Sequence, residues 1–233
     1  MTGFSNILVK CTLCGKTSDQ CEILSVMSFG GCDLDSRPPP NARHAMEGWI
    51  QFCPYCGYCT QDISERLSCA AEVVQSKAYL ANLMRYGDFS PPLPSEDGRE
   101  FVEPSISNKF LCFALIQEAR GENAFAGWAY LHAAWGRDDS DYPECVCITR
   151  DCRKKAIAHF EKCLVEKKRF FEQQGGEYAV LADLYRRTGQ FEKAVEISWR
   201  GMKDAEPIIA DTLRCEIRLA NASDDRCHRL DEK

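Results

Sequence analysis

Two pentapeptides constrain this chain more than anything else in it: Cys11-Thr12-Leu13-Cys14-Gly15 and Cys53-Pro54-Tyr55-Cys56-Gly57. Each is a CxxCG knuckle. The two intervening residues let the backbone fold back so that both sulfurs face one point. The glycine falls where φ must turn positive, a conformation that glycine adopts without steric penalty. Two such hooks supply four thiolates, the tetrahedral set that Zn²⁺ prefers. The 38 residues between Cys14 and Cys53 exceed the spacing of about 15–20 common in zinc ribbons. The gap therefore reads as an inserted hairpin and loop, closed at its base by the metal. The expectation is one structural Zn²⁺ on Cys11, Cys14, Cys53 and Cys56.

Around the knuckles, residues 1–60 read as the metal-binding module. Ile7-Leu8-Val9 leads into the first knuckle, Cys21 to Phe29 has strand-like content ended by Gly30-Gly31, and Trp49 to Phe52 reads as a strand delivering the second. Three consecutive prolines, Pro38 to Pro40, keep the segment from Asp33 to Asn41 out of a helix. Residues 61–86 read as a connecting helix, with Asp62 and Glu65 at the spacing of a capping box. Residues 87–104, rich in proline and acid, read as a linker.

From residue 105 to 221 the pattern is helix after helix, and part of it repeats. Phe110, Phe113, Ala114, Gly121, Ala126, Tyr130 and Ala133 recur 68 positions later as Tyr178, Leu181, Ala182, Gly189, Ala194, Ser198 and Gly201. That shift is twice the 34-residue period of tetratricopeptide (TPR) repeats. Between them, residues 151–174 read as one long helix ended by Gly175-Gly176. A final helix spans about 208–220, with Pro207 either closing a repeat or starting that helix at its first position. Residues 222–233 read as a frayed polar tail. The predicted fold class is mainly α: a small N-terminal zinc-ribbon-like β module followed by a TPR-like antiparallel helical array.

Charge and composition narrow the partners. The net charge is −6, and residues 1–60 carry four basic against five acidic groups. Four thiolates on one Zn²⁺ would add −2, so the module lacks the cationic face that phosphates require. Residues 150–169 hold eight basic groups against three acidic ones. Arg153, Lys154, Lys155 and Lys162 are the candidate contact face there, though such a run is usually one solvated helix face. The N-terminus MTGFSNILVK has no basic region followed by an apolar run, and no stretch approaches the ~18 apolar residues of a membrane helix. A cytoplasmic address without a membrane partner is expected.

Fifteen cysteines in such a chain suggest metal ligands plus buried thiols. Cys69, Cys112, Cys163 and Cys215 fall in helical patterns and read as small core residues. Cys59 extends the second knuckle, but reads as a spare thiol entering the helix. Cys21, Cys32 and His44 lie in the insert, where the four knuckle cysteines already complete a shell. Cys145, Cys147 and Cys152 read as a loop cluster that needs a fourth ligand, Cys163 or Cys112, before it can bind a second metal. His132, beside Trp128 and Trp135, reads as packing. Cys-Pro-Tyr-Cys also matches the spacing of a dithiol redox site, which needs the first cysteine at a helix N-terminus. No Ser/His/Asp grouping, phosphate-binding loop or dinucleotide turn appears.

With both knuckles and the helical repeats in view, the chain resembles an uncharacterised bacterial family in which an N-terminal pair of CxxC knuckles precedes TPR-like helices. The residues that carry this are CTLCGK (11–16), the run from Asp33 to Cys59, and AGWAYLHAAWGRDD (126–139) with the helix after it. The resemblance implies metal binding by Cys11, Cys14, Cys53 and Cys56 and no established reaction. The functional expectation is a zinc-binding protein–protein interaction or adaptor protein, with a protein or peptide in the helical-repeat groove. The alternatives are a nucleic-acid binder using 150–169 and a thiol–disulfide oxidoreductase at Cys53/Cys56. Because the segment between the knuckles holds few large apolar residues, zinc should supply most of its folding energy. The helices from 105 onward are expected to stand without it.

Overall fold

The computed structural model describes residues 2–84, 101, 103–138 and 143–230. Most of the expected linker 87–104 lies outside the described residues. Two compact units emerge, and neither is continuous in sequence: residues 1–27 with 44–141, and residues 28–43 with 142–233. This division differs from the one read off the sequence. The insert between the knuckles is shared between the units, and the helical region is cut after the second long helix.

The first unit holds all four strands found among the described residues. β1 (Gly3–Lys10) pairs antiparallel with β2 (Thr17–Ser25), and β3 (Gln51–Phe52) pairs with β4 (Cys59–Thr60). The knuckles are the turns of these two hairpins, closed by the pairs Lys10↔Thr17 and Phe52↔Cys59. The 38-residue gap is thus not one inserted hairpin. It contains the return strand of the first hairpin, the entry strand of the second, and a 3-10 segment from Pro40 to Gly48. That segment begins at the last of the three prolines, where a fixed φ suits a first turn.

The expected connecting helix over 61–86 is replaced by two short ones, α1 (Ala70–Val73) and α2 (Lys77–Leu83). Asp62 does bond three residues on, its carbonyl accepting from Glu65 N, but its Oδ1 accepts from Ser64 N at 2.8 Å and the chain stays in a turn. The side chain of aspartate competes with the helix for the same amides. α3 (Ile106–Arg120) is capped by Ser105, whose Oγ accepts from Asn108 N, and ends at Gly121 with φ of 74°. α4 (Asn123–Asp138) returns along it. Small residues set their approach: Ala126 and Ala133 are fully buried, and a Cβ on Gly136 would lie 3.2 Å from Ser107 N. His132 is ringed by Trp49, Phe110, Trp128 and Trp135, at centroid distances of 4.7 to 5.7 Å. That apolar surround lowers its pKa by desolvation, as a packing role requires.

The second unit packs α5 (Pro143–Val165), α6 (Gly176–Arg187), α7 (Phe191–Gly201) and α8 (Pro207–Asn221). The helix expected over 151–174 starts eight residues earlier and ends nine earlier. Lys168 N bonds back to Cys163 O while Lys167 takes a positive φ of 57°, which closes the helix without a glycine. Gly175 instead precedes α6, and a Cβ there would meet Ala205 at 2.8 Å. Pro207 starts α8 in its first turn.

The 68-residue repeat is visible as matching turns. Gly121 N bonds Glu118 O and Glu122 N bonds Gln117 O. Gly189 N bonds Arg186 O and Gln190 N bonds Tyr185 O, each 68 positions on. Both glycines have positive φ, 74° and 77°. α3–α4 and α6–α7 are therefore two hairpins with matching turns, and in sequence the single helix α5 falls between them.

The tail does not fray over residues 224–230. Leu34 N donates to His228 O, Leu230 N donates to Cys32 O, and Asp33 bridges Arg229 in antiparallel fashion. Arg186 holds the same stretch through Nη1, which donates to Asp224 O and Arg226 O at 2.8 and 2.7 Å. No helix among the described residues is long and apolar enough to cross a membrane.

Candidate metal centre

The two knuckles repeat one another bond for bond. Gly15 N donates to Cys11 O and Cys11 N to Lys16 O. Forty-two residues on, Gly57 N donates to Cys53 O and Cys53 N to Tyr58 O, all at 2.9 Å. Gly15 and Gly57 have φ of 74° and 76°. The first sulfur of each loop also accepts backbone N–H groups, Leu13 and Cys14 for Cys11, Tyr55 and Cys56 for Cys53. This is the local reason the sequence folds back here: each glycine permits the turn, and the turn aims amides at sulfur.

Facing each other, the loops bring all four Sγ atoms within 4.8 Å of one another. Cys11 and Cys56 lie 3.7 Å apart, Cys14 and Cys53 3.6 Å. A tetrahedron with Zn–S bonds of about 2.3 Å has sulfur–sulfur edges of about 3.8 Å. The donor set and its spacing therefore fit a tetrahedral cation of that size. Hydrogen bonds from Cys53 and Cys56 hold the Cys11 thiol far below its usual pKa, while Cys53 and Cys56 are pushed up because they carry the shared protons. Four thiolates at this spacing need a cation to neutralise them.

The surroundings explain how the second loop is placed. Gln20, inward on β2, mimics a strand: its Nε2 donates to Phe52 O and its Oε1 accepts from Phe52 N. Tyr79 on α2 donates its hydroxyl to Gly57 O and accepts from Cys59 N, both at 2.9 Å. Tyr58 donates to Glu65 O and accepts from Leu67 N, pinning the turn that follows. Sequence reasoning missed Gln20 and Tyr79. The only signal for Gln20 was a polar residue at an inward strand position, and Tyr79 gave none. Lys16 Nζ lies 4.6 Å from the centre of the Tyr55 ring, one knuckle's cation on the other's aromatic face.

Cys11 and Cys53 are fully buried, Cys56 is half-buried and Cys14 is exposed. The core behind them contains Phe52, Ile63, Val74 and Leu83, and also Cys112 and Ile116 from α3. The knuckle module consequently shares its core with a helix beyond residue 105. That corrects the expectation that the two would stand apart.

The remaining candidates disperse. Cys59 sits fully buried on β4 rather than entering a helix, beside Tyr79 and Cys112. Cys145, Cys147 and Cys152 belong to α5, not to a loop. Cys147 is exposed and Cys152 buried, and five positions on a helix place them on different faces. Cys112 and Cys163 are buried as expected, Cys215 is half-buried, and Cys69 is exposed, outside any helix, with φ of 62°. Cys21, Cys32 and His44 stand outside the four-sulfur group, which is the one metal-capable cluster among the described residues. Of the basic candidates on α5, Lys154, Lys155 and Lys162 are exposed, whereas Arg153 is buried and leaves the contact face. The helix expected after Cys53 in the redox alternative is not there. The motif is followed by Gly57 and a strand, and the next helix begins at Ala70, so no helix N-terminus stabilises its thiolate. In comparisons with known proteins, no family model, curated protein or solved structure matches the chain.

Proposed function

We propose that the four-cysteine cluster holds one structural zinc ion, and that the chain acts as an adaptor whose helical hairpins engage a protein or peptide. The observation that carries the zinc reading is the pair of matching knuckles, whose four sulfurs lie within 4.8 Å of one another, with Cys11–Cys56 and Cys14–Cys53 close to the edge of a zinc–thiolate tetrahedron. Sulfur donors at all four corners leave no position for a reacting water, which favours a structural ion over a catalytic one. The adaptor reading is supported by the recurrence of one helical hairpin at a 68-residue shift, the property on which helical-repeat proteins build binding surfaces. The resemblance noted in the sequence implies metal binding at these four cysteines and no role for the helices.

Elemental analysis of the purified chain tests the ion: one zinc per chain is expected, and a metal-free protein with an intact N-terminal fold would end the reading. For the adaptor role, crosslinking of the whole chain to its co-purifying partner should place crosslinks on α3–α4 or α6–α7. Crosslinks confined to α5 and abolished by nucleic-acid digestion would transfer the role to the basic helix, where Lys154, Lys155 and Lys162 are exposed.

A further inference from the structure

β1 is an eight-residue edge strand with an open ladder. Its partner is β2 on one side, and among the described residues no strand or backbone hydrogen bond meets its other side. Natural edges of this length are blunted by proline, by a bulge or by charges. Between Phe4 and Lys10 this one has no proline and no irregularity, and its one charge is at the end, Lys10. A two-stranded sheet is moreover marginal by itself, and additional strands stabilise it. Beside the open edge lie exposed apolar side chains: Phe4 and Leu8 on β1, with Leu8 74% exposed, and Leu24, Val26 and Met27 at the open end of the hairpin. A patch of this kind marks an interaction surface.

The order of the side chains identifies the occupant. We propose that β1 pairs antiparallel with β1 of a second copy of this chain, about a two-fold axis through Asn6, to make a continuous four-stranded sheet. An axis normal to a sheet keeps every side chain on its own face. Facing residues in such a pair must therefore have numbers of one parity, and their sum must be even. The exposed face carries Phe4, Asn6, Leu8 and Lys10. A sum of 12 places Phe4 opposite Leu8 twice, Asn6 opposite itself and Lys10 opposite Thr2. A sum of 14 sets Phe4 against Lys10 and Asn6 against Leu8. A sum of 10 sets Phe4 against Asn6. Only the register centred on Asn6 matches the two large apolar side chains with each other, and it brings no like charges together. On the other face the same register sets Ser5 against Ile7 and Gly3 against Val9, where glycine leaves room for its neighbour. A heterologous peptide would not require this palindromic order.

Sedimentation of the whole chain across a dilution series tests the pairing, with circular dichroism and zinc content as controls for folding. Wild type should reach twice the chain mass. Asn6 is exposed, so Asn6→Lys and Asn6→Glu should fold normally, yet each puts two like charges on the axis and should yield monomer. Mixing the two variants should restore a dimer containing one of each. A monomeric wild type overturns the proposal. Dimers that persist in both variants overturn it as well, because the interface then lies elsewhere. Monomers that fail to recombine on mixing refute the Asn6-centred register.

Discussion

One unit of this protein is tied together by sulfur and the other by a buried ion network. In the first, two hairpin turns converge on four thiolates backed by an apolar core that reaches into α3. In the second, Arg186, with no exposed surface, donates to Glu216 at 2.7 Å, to Asp183 at 2.6 Å and to two carbonyls of the tail. Both devices join segments far apart in sequence. They differ in what they depend on. With the proposed zinc bound, the sulfur cluster is conditional on its ion, whereas a buried guanidinium is always charged and is conditional on its carboxylates. The first unit should therefore respond to chelators and the second to proton concentration.

The sharpest way to break the comparison is to remove the metal. Cys11→Ser or Cys53→Ser, or a strong chelator, should unfold the knuckles, because structural zinc supplies on the order of 10 kcal/mol in comparable small modules. Hydrogen exchange should then show lost protection over 3–25 and 51–83, and also in α3, since Cys112 and Ile116 pack against the same core. Amides of α6 to α8 should stay protected. Loss of protection in α6 to α8 at the same rate would mean that the units do not unfold separately.

Next in size is Arg186→Ala. Removing one partner of a buried ion pair leaves uncompensated charge and costs about 3–5 kcal/mol. Thermal unfolding should show that loss, and proteolysis should reach residues 224–230, whose carbonyls Arg186 holds. Zinc content should not change.

The same network predicts a pH dependence. Burial, reinforced by Asp183 and opposed by Arg186, pushes the Glu216 carboxyl up to about 8 from its ordinary 4.5. The folded state then binds the proton more tightly than the unfolded state. The contribution of Glu216 alone is full below its ordinary pKa and is lost as pH rises through its raised one, so this group adds a negative slope of stability on pH across that window. Denaturant titrations of wild type and Glu216→Gln over that window should show the slope flattened in the variant.

The smallest effect separates the knuckles themselves. At Gly15, with φ of 74°, an added Cβ meets nothing within 4 Å, so Gly15→Ala should cost about 1–2 kcal/mol from left-handed backbone alone. At Gly57, with φ of 76°, the Cβ would fall 2.7 Å from Leu83 Cδ1. Gly57→Ala should cost more than Gly15→Ala. Equal unfolding midpoints would show that Leu83 moves aside freely.

What the sequence determined by itself is local. A CxxCG pentapeptide carries its own turn, because the glycine and the amides that face sulfur are neighbours in the chain, so the four-sulfur cluster of Cys11, Cys14, Cys53 and Cys56 was legible. The hairpin turns at Gly121 and Gly189 were legible for the same reason. What only the tertiary structure decided is non-local. Cys59 became a buried strand residue because Tyr79, twenty positions on, accepts its amide. Asp62 failed to start a helix once the chain around it was pinned by Tyr58 and by Thr12 N bonding Ile63 O. The tail 224–230 is ordered because Arg186 and the segment 32–34 supply its hydrogen bonds. Periodicity within a window of a dozen residues contains no term for such partners, and it is the burial of a polar group against a distant one that selects among conformations of similar local energy.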